Sequence, residues 1–220
     1  MSKRAVIFDL DGTLLDTLDD LTDAVNHILN KYGYPERSRG EVRSFLGNGA
    51  RDLIKCSLPS GVEGELFEGY LLEYMEYYKA HSSLKTRPYE GVVDLLKRLK
   101  DKAISVAVVS NKPNAAVVEL CERYFGELAP LAVGDRADLK RKPDAEPVRF
   151  AMDALGCKSA VFVGDSEVDV MTAKNAGLPC VIMTWGFRDK EFLEEYGAKL
   201  FADDAEQLEK TIYELLAAEG

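Results

Sequence analysis

No apolar run in this chain approaches the roughly 18 residues that a membrane-spanning helix needs. A bilayer partner is therefore not expected. Met1-Ser2-Lys3-Arg4 leads into only a brief apolar stretch, which Asp9 interrupts, so no secretory signal is expected either. Cysteine is scarce and scattered. Cys56, Cys121, Cys157 and Cys180 show no CxxC or other metal-ligand spacing, and they read as reduced, mostly buried thiols of a cytoplasmic protein. Positive charge is in short supply: 28 Lys and Arg against 38 Asp and Glu leave a net charge of −10. That balance argues against a nucleic-acid backbone or an anionic membrane as partner. Any phosphate ligand would have to be held by local positive charge. The only dense basic stretch is Arg136 to Lys142, and a basic run by itself reads as a solvated loop. Internal repeats and low-complexity segments are absent.

What the chain does have is an apolar run that ends in carboxylates. Ala5-Val6-Ile7-Phe8 delivers Asp9 and Asp11 into Gly12-Thr13. Short apolar runs of this kind read as buried strands of a parallel sheet. In such sheets, ligands sit beyond the carboxyl ends of the strands. Two carboxylates so close repel unless positive charge stands beside them, and a hard divalent cation with oxygen ligands is the natural candidate. Asp-Gly is also common turn chemistry, so this feature needs company before it carries a function.

From about residue 88 the pattern alternates. Strands are predicted at Ile104–Val109, Leu131–Val133, Ala160–Val163 and Cys180–Met183, with a weaker one at Lys199–Phe201. Helices are predicted at Val92–Lys100, Ala115–Tyr124, Val148–Leu155, Val168–Ala176, Phe192–Tyr196 and Ala205–Ala218. That rhythm implies crossover units and a parallel sheet covered on both faces. Residues 16–82 break it. Leu18, Leu21, Val25, Ile28, Leu29 and Tyr32 follow helical spacing up to Gly33, a C-cap candidate. Ser38-Arg39-Gly40-Glu41 fits a capping box. Ala50 to Cys56 forms a third helix, and Leu66, Tyr70, Leu71, Tyr74, Tyr77 and Tyr78 mark a fourth. His27 and His81 read as surface or packing residues of this segment. The expected division is a catalytic core of residues 1–15 and 83–220 with an all-helical insert, 16–82, able to hinge over it.

Four strand ends carry polar groups that could converge. They are Asp9, Asp11 and Thr13; Ser110-Asn111-Lys112; Lys142-Pro143; and Gly164-Asp165-Ser166-Glu167-Val168-Asp169. Ser110, Asn111, Asp165 and Asp169 could each simply cap a following helix. Their occurrence together, in order, favours phosphoryl transfer through a covalent aspartyl phosphate. In that reading Asp9 is the nucleophile and Asp11 the general acid and base. Asp9 and Asp165 ligate Mg²⁺. Thr13, Ser110 and Asn111 donate to phosphate oxygens, and Lys142 stabilises the charge.

These motifs resemble those of the haloacid dehalogenase superfamily of phosphohydrolases, and within it the phosphoglycolate phosphatase-like group. The resemblance covers essentially the whole chain. It implies an α/β, Rossmann-like parallel sheet core with a helical cap. It also implies Mg²⁺ held by Asp9, the backbone carbonyl of Asp11, and Asp165. Asp169 would stand one step behind the metal, orienting waters or Lys142. An aspartate at position 11 points to phosphoryl chemistry, since the dehalogenase branch lacks one there. Leu46-Gly47-Asn48-Gly49-Ala50-Arg51 resembles the cap loop that reaches the substrate, which makes Asn48 and Arg51 candidates for binding it. One departure is visible: family members often carry a second proline soon after Lys-Pro, whereas here Pro143 is followed by Asp144-Ala145-Glu146-Pro147.

The resulting expectation is a cytoplasmic Mg²⁺-dependent phosphatase, monomeric or homodimeric, acting on a small phosphorylated metabolite. Phosphoglycolate is the first candidate. A phosphomutase of the β-phosphoglucomutase type, and a pyrophosphatase or nucleotidase, remain open on the same residues. A signalling receiver domain shares a phosphorylated aspartate but is shorter and lacks the insert.

Overall fold

The computed structural model describes residues 3–218. The first strand, β1 (Lys3–Phe8), leads through the acidic turn into a two-residue strand, β2 (Leu15–Asp16). Four helices follow: α1 (Leu18–Lys31), α2 (Arg39–Phe45), α3 (Ala50–Ser57) and α4 (Gly64–His81). The chain returns through β3 (Arg87–Pro88) and then alternates: α5 (Val92–Asp101), β4 (Ser105–Pro113), α6 (Asn114–Tyr124), β5 (Leu131–Asp135), α7 (Glu146–Leu155), β6 (Cys157–Gly164), α8 (Glu167–Ala176), β7 (Cys180–Met183), α9 (Lys190–Glu195), β8 (Leu200–Ala202) and α10 (Ala205–Ala218).

Six strands form one sheet in the order β5-β4-β1-β6-β7-β8, every pair parallel. The period-two alternation of side chains splits the strands between two cores. Val6, Phe8, Val106, Val108, Val161 and Val163 face Leu95, Leu99, Leu208 and Ile212 on one side. Ala5, Ile7, Ala107, Val109, Ala160 and Phe162 face Val148 and Ala151 on the other. Both faces are dry, which explains why the strands read as continuous apolar runs. The chain runs outward from β1 to β4 and β5, then crosses back to β6, β7 and β8. Strand order therefore reverses at β1, and the crevice beyond the ends of β4, β1 and β6 is where such a sheet opens to a ligand.

The four helices α1 to α4 bury a core of their own, built around Leu21, Val25, Ile28, Leu53, Ile54, Phe67 and Tyr74. Ser38 and Glu41 make the predicted capping box on α2. Gly33 takes a positive φ of 72° past the end of α1, and the Tyr34 N–H returns to the Leu29 carbonyl. On α4 the buried stripe is Phe67, Tyr70, Leu71, Tyr74 and Tyr78. Leu66, expected inside, is 52% exposed, because Phe67 occupies that turn's inward position. Tyr77 is half-buried and stacks between the rings of His27 and His81, at 3.7 and 4.0 Å. Entry and exit of this segment are stitched by the antiparallel β2–β3 pair, Leu15 opposite Pro88 and Asp16 opposite Arg87. Sequence pattern showed no strand there, because two residues are too few to display a period. Buried Asp20 adds a clamp, accepting from the backbone N–H groups of Lys85 and Thr86. None of the described helices is long and apolar enough to cross a membrane.

Candidate active site

The site begins where β1 stops. The Asp9 N–H extends the ladder by donating to the Val163 carbonyl at 2.8 Å. The chain then folds on itself, with the Leu10 carbonyl accepting from the N–H groups of Leu14 and Leu15. Gly12 turns the corner at φ +82°, and a Cβ there would strike the Asp165 carboxylate. Only glycine meets both demands. Asp165 arrives from the adjacent end of β6, so two carboxylates far apart in sequence share one mouth of the sheet.

Lys142 joins the group from the loop before α7. Its ammonium stands 2.9 Å from Asp9 Oδ1 and 2.7 Å from Asp169 Oδ1, with its side chain 2% exposed. Asp169 is fully buried and fully engaged. Its Oδ2 accepts from the Asp165 N–H, the Ser166 N–H and the Ser166 hydroxyl. Asp165 accepts the Thr13 hydroxyl on Oδ1 at 2.9 Å and the Phe187 N–H on Oδ2 at 2.8 Å. Ligand atoms of Asp9, Asp165 and Asp169 all lie within 4.8 Å of one another.

The electrostatics follow from crowding acids in a dry place. Burial pushes the Asp9 carboxyl up to about 6, against the pull of Lys142. Burial, then repulsion from Asp169 and Asp9, raises Asp165 well above the usual carboxylate range. Burial alone would lower Lys142, but the Asp169 and Asp9 carboxylates more than offset it and raise its affinity for the proton. Three carboxylates against one ammonium leave the cluster short of positive charge. A divalent cation would supply it, and all-oxygen carboxylate donors suit a hard ion. Asp169 has its oxygens committed to four donors, so Asp9 and Asp165 are the carboxylates best placed to hold one.

A cavity of about 140 Å³ opens beside the acids. Asp9, Asp11, Ser110 and Asp165 line it from the sheet side, and Leu21, Leu53, Tyr74 and Tyr78 from the helical segment. Ser110 lies on β4 itself, since the strand runs on to Pro113 by pairing with Asp135, and it caps no helix. Asn111 does not offer its amide N–H groups to the cavity. They donate to the Gly47 and Lys142 carbonyls, tying the strand end to the helical segment and to the lysine loop. Thr13 spends its hydroxyl on Asp165. Asn48 and Arg51 do not reach the cavity either. Asn48 is exposed, and its carbonyl accepts from Arg141. Arg51 lies outside, with a bidentate ion pair to Glu68 at 2.7 Å for both bonds.

One feature escaped the sequence reading. Lys112 is buried, and its ammonium sits 2.8 and 3.0 Å from the two oxygens of Asp11. Its place directly after Ser110-Asn111 at a strand end was the available signal. The loop after β7, Trp185-Gly186-Phe187-Arg188, follows a strand and so could be expected either to line the site or to pack in the core, and it does both. Trp185 Nε1 donates to the Thr13 carbonyl, and Phe187 caps Asp165. Arg188 reaches the Leu46 and Arg43 carbonyls while paired with Glu167.

Comparison with known proteins agrees with this arrangement. The chain is 38% identical over 213 residues to phosphoglycolate phosphatase 1 of Pseudomonas aeruginosa, covering 93% of this chain and 78% of that one. It is 36% identical over 188 residues to phosphoglycolate phosphatase of Rhodobacter capsulatus, covering 84% and 85%. A crystal structure from Lactobacillus delbrueckii subsp. bulgaricus superposes with a TM-score of 0.90 at 33% identity, covering 96% of this chain and 99% of that one. The family model for haloacid dehalogenase-like hydrolases matches residues 6–183. The chain belongs to the haloacid dehalogenase-like hydrolase family.

Proposed function

We propose that this protein is a Mg²⁺-dependent phosphatase of small phosphomonoesters, with 2-phosphoglycolate the first candidate substrate. The observation that carries the reading is the Lys142 ammonium held between Asp9 and Asp169, with Asp165 alongside, at the mouth of a cavity of about 140 Å³. A space of that size suits a metabolite-sized ester. The two relatives named as phosphoglycolate phosphatases support the choice of ester.

Asp9 attacks phosphorus through a carboxylate oxygen, and the ester P–O bond breaks. The leaving alkoxide takes a proton from Asp11. Water then adds to phosphorus, giving its proton to Asp11, and the bond between phosphorus and the Asp9 oxygen breaks to release phosphate. Lys142 stabilises the charge on the transferring group, and the Ser110 hydroxyl is positioned to donate to it. Asp9, the Asp11 carbonyl and Asp165 would hold Mg²⁺, which when bound neutralises charge on the phosphoryl oxygens. Asp169 keeps Lys142 in place and protonated. Residues 16–82 serve as a cap, and closing it over the cavity excludes water from the first step.

The test is phosphate release from a panel of small phosphorylated metabolites, with no added acceptor, with and without Mg²⁺. The expected result is Mg²⁺-dependent release, highest with phosphoglycolate. Release from none of them would overturn the reading, and transfer to a second sugar hydroxyl without free phosphate would make the protein a mutase.

A further inference from the structure

Lys112 is an ammonium in the cavity wall whose role the hydrolytic steps leave open. It is 5% exposed, and among the described residues its side chain pairs only with Asp11. An ammonium carries three donors. Two go to the Asp11 oxygens, at 2.8 and 3.0 Å, and no described acceptor takes the third. Beneath it lies Tyr78, whose ring centroid is 4.5 Å from the nitrogen. Tyr78 lines the same cavity, is 4% exposed, and its buried hydroxyl has no hydrogen-bond partner among the described residues. An unmade hydrogen bond of that kind is costly, and native structures avoid it unless something else fills the place. Burial and the nearby Asp11 charge hold the phenol firmly protonated, so it serves as a donor.

Two neighbouring donors, one charged and one neutral, belong to residues lining a largely apolar pocket, and the neutral one has no acceptor among the described residues. Their complement is a small anion with two oxygens. The position also matters. Asp11 is the residue read as protonating the leaving oxygen, and Lys112 stands within 3.0 Å of its carboxylate. The ammonium therefore stands beside the group read as meeting the ester oxygen, on the leaving-group side of the substrate. Arg51, the candidate cation by sequence, is half-exposed and already committed to Glu68.

We propose that Lys112 and the Tyr78 hydroxyl form a carboxylate subsite, which selects phosphate esters bearing a carboxylate on the carbon attached to the ester oxygen. This deepens the phosphatase reading above and rests on it. It makes Lys112 and Tyr78 specificity residues, distinct from the groups that transfer the phosphoryl.

The experiment compares kcat/KM for 2-phosphoglycolate with that for ethyl phosphate, which lacks the carboxylate. Wild-type protein should favour phosphoglycolate. Because a charge-assisted hydrogen bond is worth about 1.5–3 kcal/mol, Lys112→Met should shrink the preference by about tenfold or more. Lys112→Arg should retain part of it. Tyr78→Phe should shrink it by about threefold to tenfold, from the loss of one hydrogen bond. It keeps the ring, so it carries the test if Lys112→Met fails to fold. If both substrates lose equally in Lys112→Met, the lysine serves Asp11 alone and the subsite is refuted. An unchanged ratio in Tyr78→Phe removes Tyr78 from it. Should wild-type protein hydrolyse ethyl phosphate as well as phosphoglycolate, the choice of ester itself falls, and the subsite with it.

Discussion

The backbone N–H of Phe187 donates to Asp165 Oδ2 at 2.8 Å, while the Phe187 side chain is buried in the core of the helical insert. One residue thus touches both the acidic cluster and the element that covers it. Arg188 strengthens the link, binding the Leu46 and Arg43 carbonyls of the insert and Glu167 at the start of α8. The position of the insert and the orientation of Asp165, a carboxylate proposed to hold Mg²⁺, are therefore mechanically coupled.

That coupling makes Gly186 sensitive. A Cβ at this position would collide with the Cβ and carboxylate of Asp165. Backbone next to a buried side chain cannot give way cheaply. Gly186→Ala should weaken Mg²⁺ binding and cut phosphate release by at least about tenfold, a loss of roughly 1.4 kcal/mol or more. Titration of activity against Mg²⁺ checks this, and wild-type behaviour would mean that Asp165 does not need its present position.

Asp9→Asn removes the proposed nucleophile while keeping its size. Turnover should vanish while the melting temperature stays within a few degrees of wild type. If the variant releases phosphate at a near-normal rate, the covalent route is wrong.

Asp11→Asn removes the proposed proton donor. Loss of general acid–base catalysis typically costs about 10²–10⁴-fold, so kcat should drop by that order. Substrates whose leaving group needs no proton, such as a nitrophenyl ester, should lose much less. An equal loss on both would take Asp11 out of proton transfer.

The acidic cluster sets a pH dependence with a definite sign. Burial pushes Asp9 up to about 6 from its ordinary value of 3.8, and Asp165 is raised as well. A raised carboxyl binds its proton better in the folded protein. Without metal, its contribution to stability is greatest at low pH and declines as pH rises from 3.8 through about 6. Mg²⁺ needs the carboxylates ionised, so its affinity should fall as pH drops through about 6. The rise in melting temperature produced by Mg²⁺ should be clear at pH 7.5 and much reduced at pH 5. A rise of equal size at both would place the metal elsewhere.

Much of the fold was legible before any coordinates. Cys180–Met183 and Ala205–Ala218 match their predicted bounds, and the other strands and helices of the sheet region lie within a few residues of theirs. Boundaries slipped where partners decide them. β4 runs past Val109 to Pro113 because β5 pairs with it there. The two-residue β2 and β3 exist only as partners of each other. Asp20 could not be recognised as buried, because the backbone that satisfies it lies 65 residues away.

By itself, the sequence determined that apolar strands alternate with amphipathic helices and that three strand ends and a basic loop carry acids, hydroxyls and lysines. Those are local properties, written in spacing and residue type. Tertiary structure alone decided which groups meet. Strand order reverses at β1, so Asp9, Lys112 and Asp165 share one crevice. Whether Arg51 or Lys112 faces that crevice depends on how α3 packs against α4, where Glu68 captures the arginine. Such pairings arise between residues distant in the chain, and the energy of a buried charge is set by its neighbours in space.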